Sequence, residues 1–158
     1  MTETLLAGAL LVWLQGQSGE KTDARTEELV QEVHDRINQE RKKQNRPPLT
    51  LNDRLNAAAR KHSERMAKEQ FFDHTDKRGD GPAERVNQER YQWVRVGENI
   101  AMNSGYKNPA EQAVAGWMKS PGHRRNILDG EFTETGIGIA YRGKAIYFTQ
   151  VFARPGRF

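Results

Sequence analysis

The feature that most constrains this chain lies near its C-terminal end, where Ile137, Ile139 and Tyr141 alternate with Gly136, Gly138 and Ala140. A period of two marks a strand with two different faces. Arg142-Gly143-Lys144 reads as a turn, and Ala145 to Ala153 is rich in β formers, so the two runs are expected to pair as a hairpin. The second run, Ile146 to Phe152, is apolar on both faces. A strand of that kind predicts a sheet with helices packed on both sides.

The helices precede it. From Thr26, with Glu27 and Glu28 suited to the positive end of the helix dipole, Val30, Val33 and Ile37 recur at helical spacing. The helix ends before Pro47-Pro48 in a basic run, Arg41 to Arg46, which reads as a solvated helix end because no aromatic residues are interleaved with it for base stacking. A second helix begins at Asn52 or Asp53 and carries Leu55, Ala58, Ala59, His62 and Met66 on one face, so His62 is expected inside as a hydrogen-bonded core residue. Asp76, Gly79, Asp80, Gly81 and Pro82 form a polar loop without the ligand spacing of an EF-hand. Asn108-Pro109-Ala110-Glu111 opens another helix, whose buried stripe of Ala113, Val114, Trp117 and Met118 runs until Pro121-Gly122. Helices first and strands last imply an α+β fold, an α-β-α sandwich with a small antiparallel sheet covered by helices on both faces.

At 158 residues the chain fits one domain. It has no cysteine, which excludes a disulfide framework, a thiolate metal site and a cysteine nucleophile. Leu5 to Leu14 is apolar throughout, too short to span a bilayer but long enough for the apolar core of a signal peptide, although Glu3 stands where such a peptide prefers positive charge. Residues 16–25 are polar and aperiodic. Residues 1–25 are therefore expected to be a signal-like segment and linker, and 26–158 a domain that is secreted or extracytoplasmic, monomeric and without a transmembrane span. The net charge of +4 favours anionic polysaccharide or lipid headgroups, and no recognised reader motif points to specific nucleic acid.

Four stretches, in one order, resemble the bacterial branch of the CAP superfamily (SCP/TAPS: cysteine-rich secretory protein, antigen 5, pathogenesis-related 1). They are the first helix with Asn38, Phe72-Asp73-His74, Gly97-Glu98-Asn99-Ile100-Ala101, and Trp117 to Leu128 with its Ser120-Pro121-Gly122-His123 centre. Gly136-Ile137-Gly138 and Gln150-Val151-Phe152 extend the likeness into the hairpin. The resemblance implies a cleft lined by His74, His123 and Glu98, in which several members of the family hold a divalent metal, often zinc. The family's second glutamate falls at Ser120 here.

Two neutral imidazoles and a carboxylate suit zinc with an open coordination position, and Glu98 serves either as the third ligand or by orienting one imidazole. A metal-free His/Glu cluster that simply ties the loop after the second helix to the hairpin is the alternative. The resemblance leaves enzyme, binding module and structural domain open. Glu98 and His123 are the catalytic candidates: either in a Ser120-His123-Glu98 set, which lacks the GxSxG nucleophile elbow, or in a metal-dependent hydrolase that uses Glu98 as general base. A lipid- or sterol-binding module needs an apolar groove, for which Phe71, Phe72, Tyr91, Trp93 and Tyr106 are the candidate lining residues.

Overall fold

The structure, a computed structural model, describes the backbone of residues 4–156 and side chains from residue 24. Its elements in chain order are α1 (Thr4–Lys43), β1 (Thr50–Leu51), α2 (Asp53–Glu69), α3 (Pro82–Gln88), β2 (Trp93–Ser104), α4 (Pro109–Lys119), α5 (Pro121–Leu128), β3 (Glu134–Arg142) and β4 (Ala145–Pro155). The sheet order is β1-β3-β4-β2; β2, β4 and β3 pair antiparallel, and β1 adds a short parallel edge. The expected α-β-α sandwich is present, with the sheet mixed rather than purely antiparallel.

Each face of the hairpin meets a different helical layer. Ile137, Ile139, Ile146, Phe148 and Phe152 pack with Val33 and Ile37 of α1 and with Ala113, Val114 and Trp117 of α4. On the opposite face Ala140, Tyr147, Val151 and Ala153 meet the Leu55, Ala58, Ala59 and Met66 stripe of α2. The glycines in the β3 alternation have a specific cause. A Cβ at Gly136 would stand 2.0 Å from the carbonyl carbon of Leu55, and one at Gly138 would stand 2.1 Å from that of Ala59. Helix α2 lies so close to β3 that no side chain fits between them.

Helix α2 begins as expected, with Asn52 Oδ1 accepting from the N–H groups of Arg54 and Leu55. Three expectations differ from the structure. First, Pro82 and Pro121 each stand at the first position of a helix, α3 and α5, rather than in a loop or at a break, since proline there gives up a hydrogen bond that no helix makes anyway. Second, Arg41 is not solvated: it is 1% exposed, and its guanidinium donates to the carbonyls of Pro47, Ile127, Asp129 and Phe132, tying α1 to the end of α5. Third, α1 continues as helix through residues 16–25, the segment expected as a linker, although Gly16, Ser18, Gly19, Thr22 and Asp23 are weak helix formers. The first buried side chain of α1 among the described residues is Leu29. The side chains of the apolar segment at 5–14 lie outside the described residues.

Candidate functional site

Glu98 and Asn99 are neighbours on β2, and successive strand residues point to opposite faces. Glu98 points toward the α2 and α3 layer, where its side chain is 1% exposed. Its Oε1 accepts from His74 Nδ1 at 2.8 Å, and its Oε2 accepts from Arg85 Nη2 at 2.6 Å. Burying a carboxylate is costly unless a cation and hydrogen bonds compensate it. Arg85, 2% exposed on α3, supplies both, and its other terminal nitrogen donates to the carbonyls of His74 and Asp80. The loop that carries His74 is thus held at its side chain by Glu98 and at its backbone by Arg85. Asp76 closes the same loop: its Oδ1 accepts from the N–H groups of Arg78 and Asp80, and its Oδ2 pairs with Arg65 at 2.5 Å, in line with the expected turn role.

Asn99 points the other way and donates to the carbonyl of His123 at 3.0 Å. Asn126 returns the bond, donating to Asn99 Oδ1 at 2.9 Å and to the Glu98 carbonyl. These amides lock α5, and with it His123, against the strand that carries Glu98. Asn38 does comparable work further off: it accepts from the Leu49 N–H and donates to the Leu49 carbonyl, anchoring the chain before β1 to α1.

The three histidines near Glu98 have different electrostatics. His74 has its pKa raised, first by the hydrogen bond to Glu98. In His123 the pKa is lowered, first by burial and then by the charge of His74. His62 is fully buried in α2, donates Nε2–H to the Asp73 carbonyl at 2.9 Å, and has its pKa lowered by burial. Its expected place as a core residue is the observed one.

His123 opens onto a cleft of about 630 Å³ between β2 and α4, whose lining includes Phe72, Met102, Tyr106, Trp117 and Ser120. Of the aromatic residues expected there, Phe72 and Tyr106 line it. Phe71, Tyr91 and Trp93 do not: they pack against the α2 side of the core, where Tyr91 also donates to Glu134. The Ser120-His123-Glu98 set is not assembled, since no hydrogen bond joins its members among the described residues and Glu98 is engaged by His74 and Arg85.

The donor set can be tested against a metal. With Nδ1 of His74 bonded to Glu98, its Nε2 is the nitrogen left to donate a lone pair, and burial favours a neutral His123 imidazole. Both fit a zinc ion. Each Glu98 oxygen accepts one hydrogen bond, an engagement that suits the orienting role expected for it, and among the described residues no three His, Asp or Glu side chains gather as a metal-ligand group. The imidazoles of His74 and His123 are the nitrogen donors that remain of the expected set.

The profile of the cysteine-rich secretory protein family, CAP, matches residues 34–152, a span that includes the buried amides, His74, His123 and the hairpin. The chain belongs to the CAP family. The Bacillus subtilis protein YkwD is 38% identical over 106 residues, covering 67% of this CAP chain and 40% of its own length. An extracellular protein containing a SCP domain from Bacillus anthracis superposes with a TM-score of 0.72 at 28% identity, over 82% of this chain and 41% of that one. An outer surface protein from Borrelia burgdorferi reaches a TM-score of 0.75 at 21% identity, over 83% and 96% of the two chains. This CAP chain thus spans less than half of the Bacillus proteins it matches. A more distant structure of the fold was determined with Zn2+, with a TM-score of 0.50 at 18% identity, over 70% of this chain and 62% of that one.

Proposed function

We propose that this CAP domain works outside the cytoplasm and that its cleft binds a divalent transition metal, zinc foremost, through His74 and His123, leaving coordination positions for an extracellular ligand. The observation that carries the reading is the 2.8 Å bond from His74 Nδ1 to Glu98, which fixes the ring and its tautomer and turns Nε2 outward. Arg85 holds Glu98 in place, and Asn99 with Asn126 holds α5, the helix that presents His123 to its cleft. A bound metal would supply Lewis acidity toward an oxygen of the ligand. Glu98 in this arrangement orients His74 and is poorly placed as a general base, which favours binding over hydrolysis. The zinc in a distant structure of the fold and the extracellular description of the Bacillus anthracis protein agree with the metal and the location. No helix among the described residues is long and apolar enough to cross a membrane.

The test is elemental analysis of the protein purified without added metal, beside the His74→Ala and His123→Ala variants. Zinc retained by the wild type and lost from both variants supports the site; equal metal content in all three removes it.

A second reading rests on a separate observation. Three of the four exposed large apolar side chains among the described residues, Phe72, Met102 and Tyr106, line this one cleft. They favour an apolar ligand such as a lipid or sterol, and displacement of a fluorescent fatty acid from wild type but not from Tyr106→Ala would support it.

A further inference from the structure

Helix α5 presents His123 to the cleft and its next two residues, Arg124 and Arg125, to a different hollow of about 700 Å³. Arg46, from the loop after α1, and Lys119, at the end of α4, line the same hollow. Among the described residues none of these four cations has an acidic partner within 4.0 Å. The hollow's one lining carboxylate, Asp129, is engaged elsewhere: it pairs with Arg95 at 2.7 Å and caps the N–H of Glu131 at 2.9 Å. Beneath, the buried Arg41 braces the wall by its bonds to the carbonyls of Ile127 and Asp129, and its pKa is lowered first by burial and then by the charge of Arg46. Four uncompensated cations brought together from three segments of the chain repel one another, and an anionic ligand would relieve that repulsion.

We propose that this hollow binds an anionic glycopolymer, a chain whose repeating phosphate or sulfate groups are carried on a sugar or polyol backbone. Arginine's planar donors match such tetrahedral anions two at a time. The shape and the surroundings select this occupant. A membrane surface is met by convex regions with exposed apolar side chains that insert between lipids, and Phe72, Val94, Met102 and Tyr106, the large ones exposed among the described residues, all lie outside the hollow. Single-stranded nucleic acid draws on aromatic side chains for base stacking, and none lines the hollow. The proposal does not depend on metal at His74 and His123.

The experiment is fluorescence anisotropy of a labelled heparin oligosaccharide titrated with the full chain at low salt, in EDTA and again with zinc. The proposal expects binding in EDTA that weakens steadily with salt, a loss of at least about 10-fold in Arg124→Glu/Arg125→Glu, and a change within about twofold in Arg78→Glu/Lys144→Glu, which alters net charge equally outside the hollow. The His74→Ala/His123→Ala variant should bind heparin like wild type, which separates this site from the cleft. Arg46→Gln/Lys119→Gln, altering two other segments, should also weaken binding, and it decides the matter if the α5 variant lacks a cooperative melt. Equal losses in the hollow and control variants, or no heparin binding, overturn the proposal. Vesicles of phosphatidylglycerol bound through Arg124 and Arg125 while heparin is ignored would also overturn it, assigning the hollow to lipid headgroups; competition by inorganic phosphate as effective as by the polymer would reduce it to a simple anion site and overturn the polymer.

Discussion

His74 Nδ1 lies 2.8 Å from one oxygen of Glu98 while Arg85 Nη2 lies 2.6 Å from the other, so a single buried carboxylate links a half-exposed imidazole to a buried guanidinium. The bond raises the His74 pKa. Followed by NMR, His74 is expected to titrate above about 6.5 in the wild type and to fall in Glu98→Gln, with His123 remaining below it. Because the folded value is raised, this bond contributes stability that is complete below about pH 6.5 and is lost as pH rises through the folded pKa. His62, lowered by burial, acts with the opposite sign, and its contribution fades as pH falls below about 6.5. A His74 resonance that ignores Glu98→Gln would break the link.

Arg85→Met tests the other end of that carboxylate. It leaves Glu98 charged, buried and without its cation, a change that typically costs about 3 to 5 kcal/mol. Chemical denaturation should show that loss at pH 7, with partial recovery in the double variant Arg85→Met/Glu98→Gln, where the uncompensated charge is gone. A single variant as stable as wild type would place the cation outside the fold's stability.

Gly138→Ala asks whether the helix really lies on the strand. The added methyl would stand 2.1 Å from the Ala59 backbone, and backbone cannot swing aside as a flexible side chain does. The loss should meet or exceed the roughly 1 to 3 kcal/mol usual for overpacking, and a melting curve matching wild type would mean that α2 sits further from β3.

The domain boundary is tested by a chain beginning at Thr26. Packing among the described residues starts at Leu29, so this chain is expected to melt cooperatively at the temperature of the full-length protein. A transition lowered by several degrees would assign the preceding residues a share in the fold.

Much of this architecture was legible in the sequence because periodicity reports burial. The Gly/Ile alternation of β3 and the stripe of α2 each repeat one physical environment several times. Strand β2 gives no such signal, since Arg95, Gly97, Glu98 and Asn99 interrupt its apolar residues, the last two to hold His74 and α5. Helices α3 and α5 were hidden because proline starts a helix as readily as it stops one. His74, Glu98 and His123 came from motif resemblance; Asn99 and Asn126 stand in the same motifs but nothing in the sequence paired them, and Arg85 had no local pattern. The one available signal for Arg85 was physical: a glutamate within an apolar strand needs a cation.

Isothermal titration of zinc into metal-free protein at about pH 7.5, where unperturbed imidazoles are neutral, tests the central claim most directly. Wild type should take up zinc in a one-to-one ratio, His74→Ala and His123→Ala should lose most of the affinity, and Glu98→Gln should weaken it by roughly 10- to 100-fold through the loosened His74 ring. Repeating the titration at lower pH should show affinity falling from above about 6.5, where the raised pKa of His74 lets protons compete with the metal. Zinc uptake that is absent in the wild type, or unchanged in both histidine variants, would contradict the account.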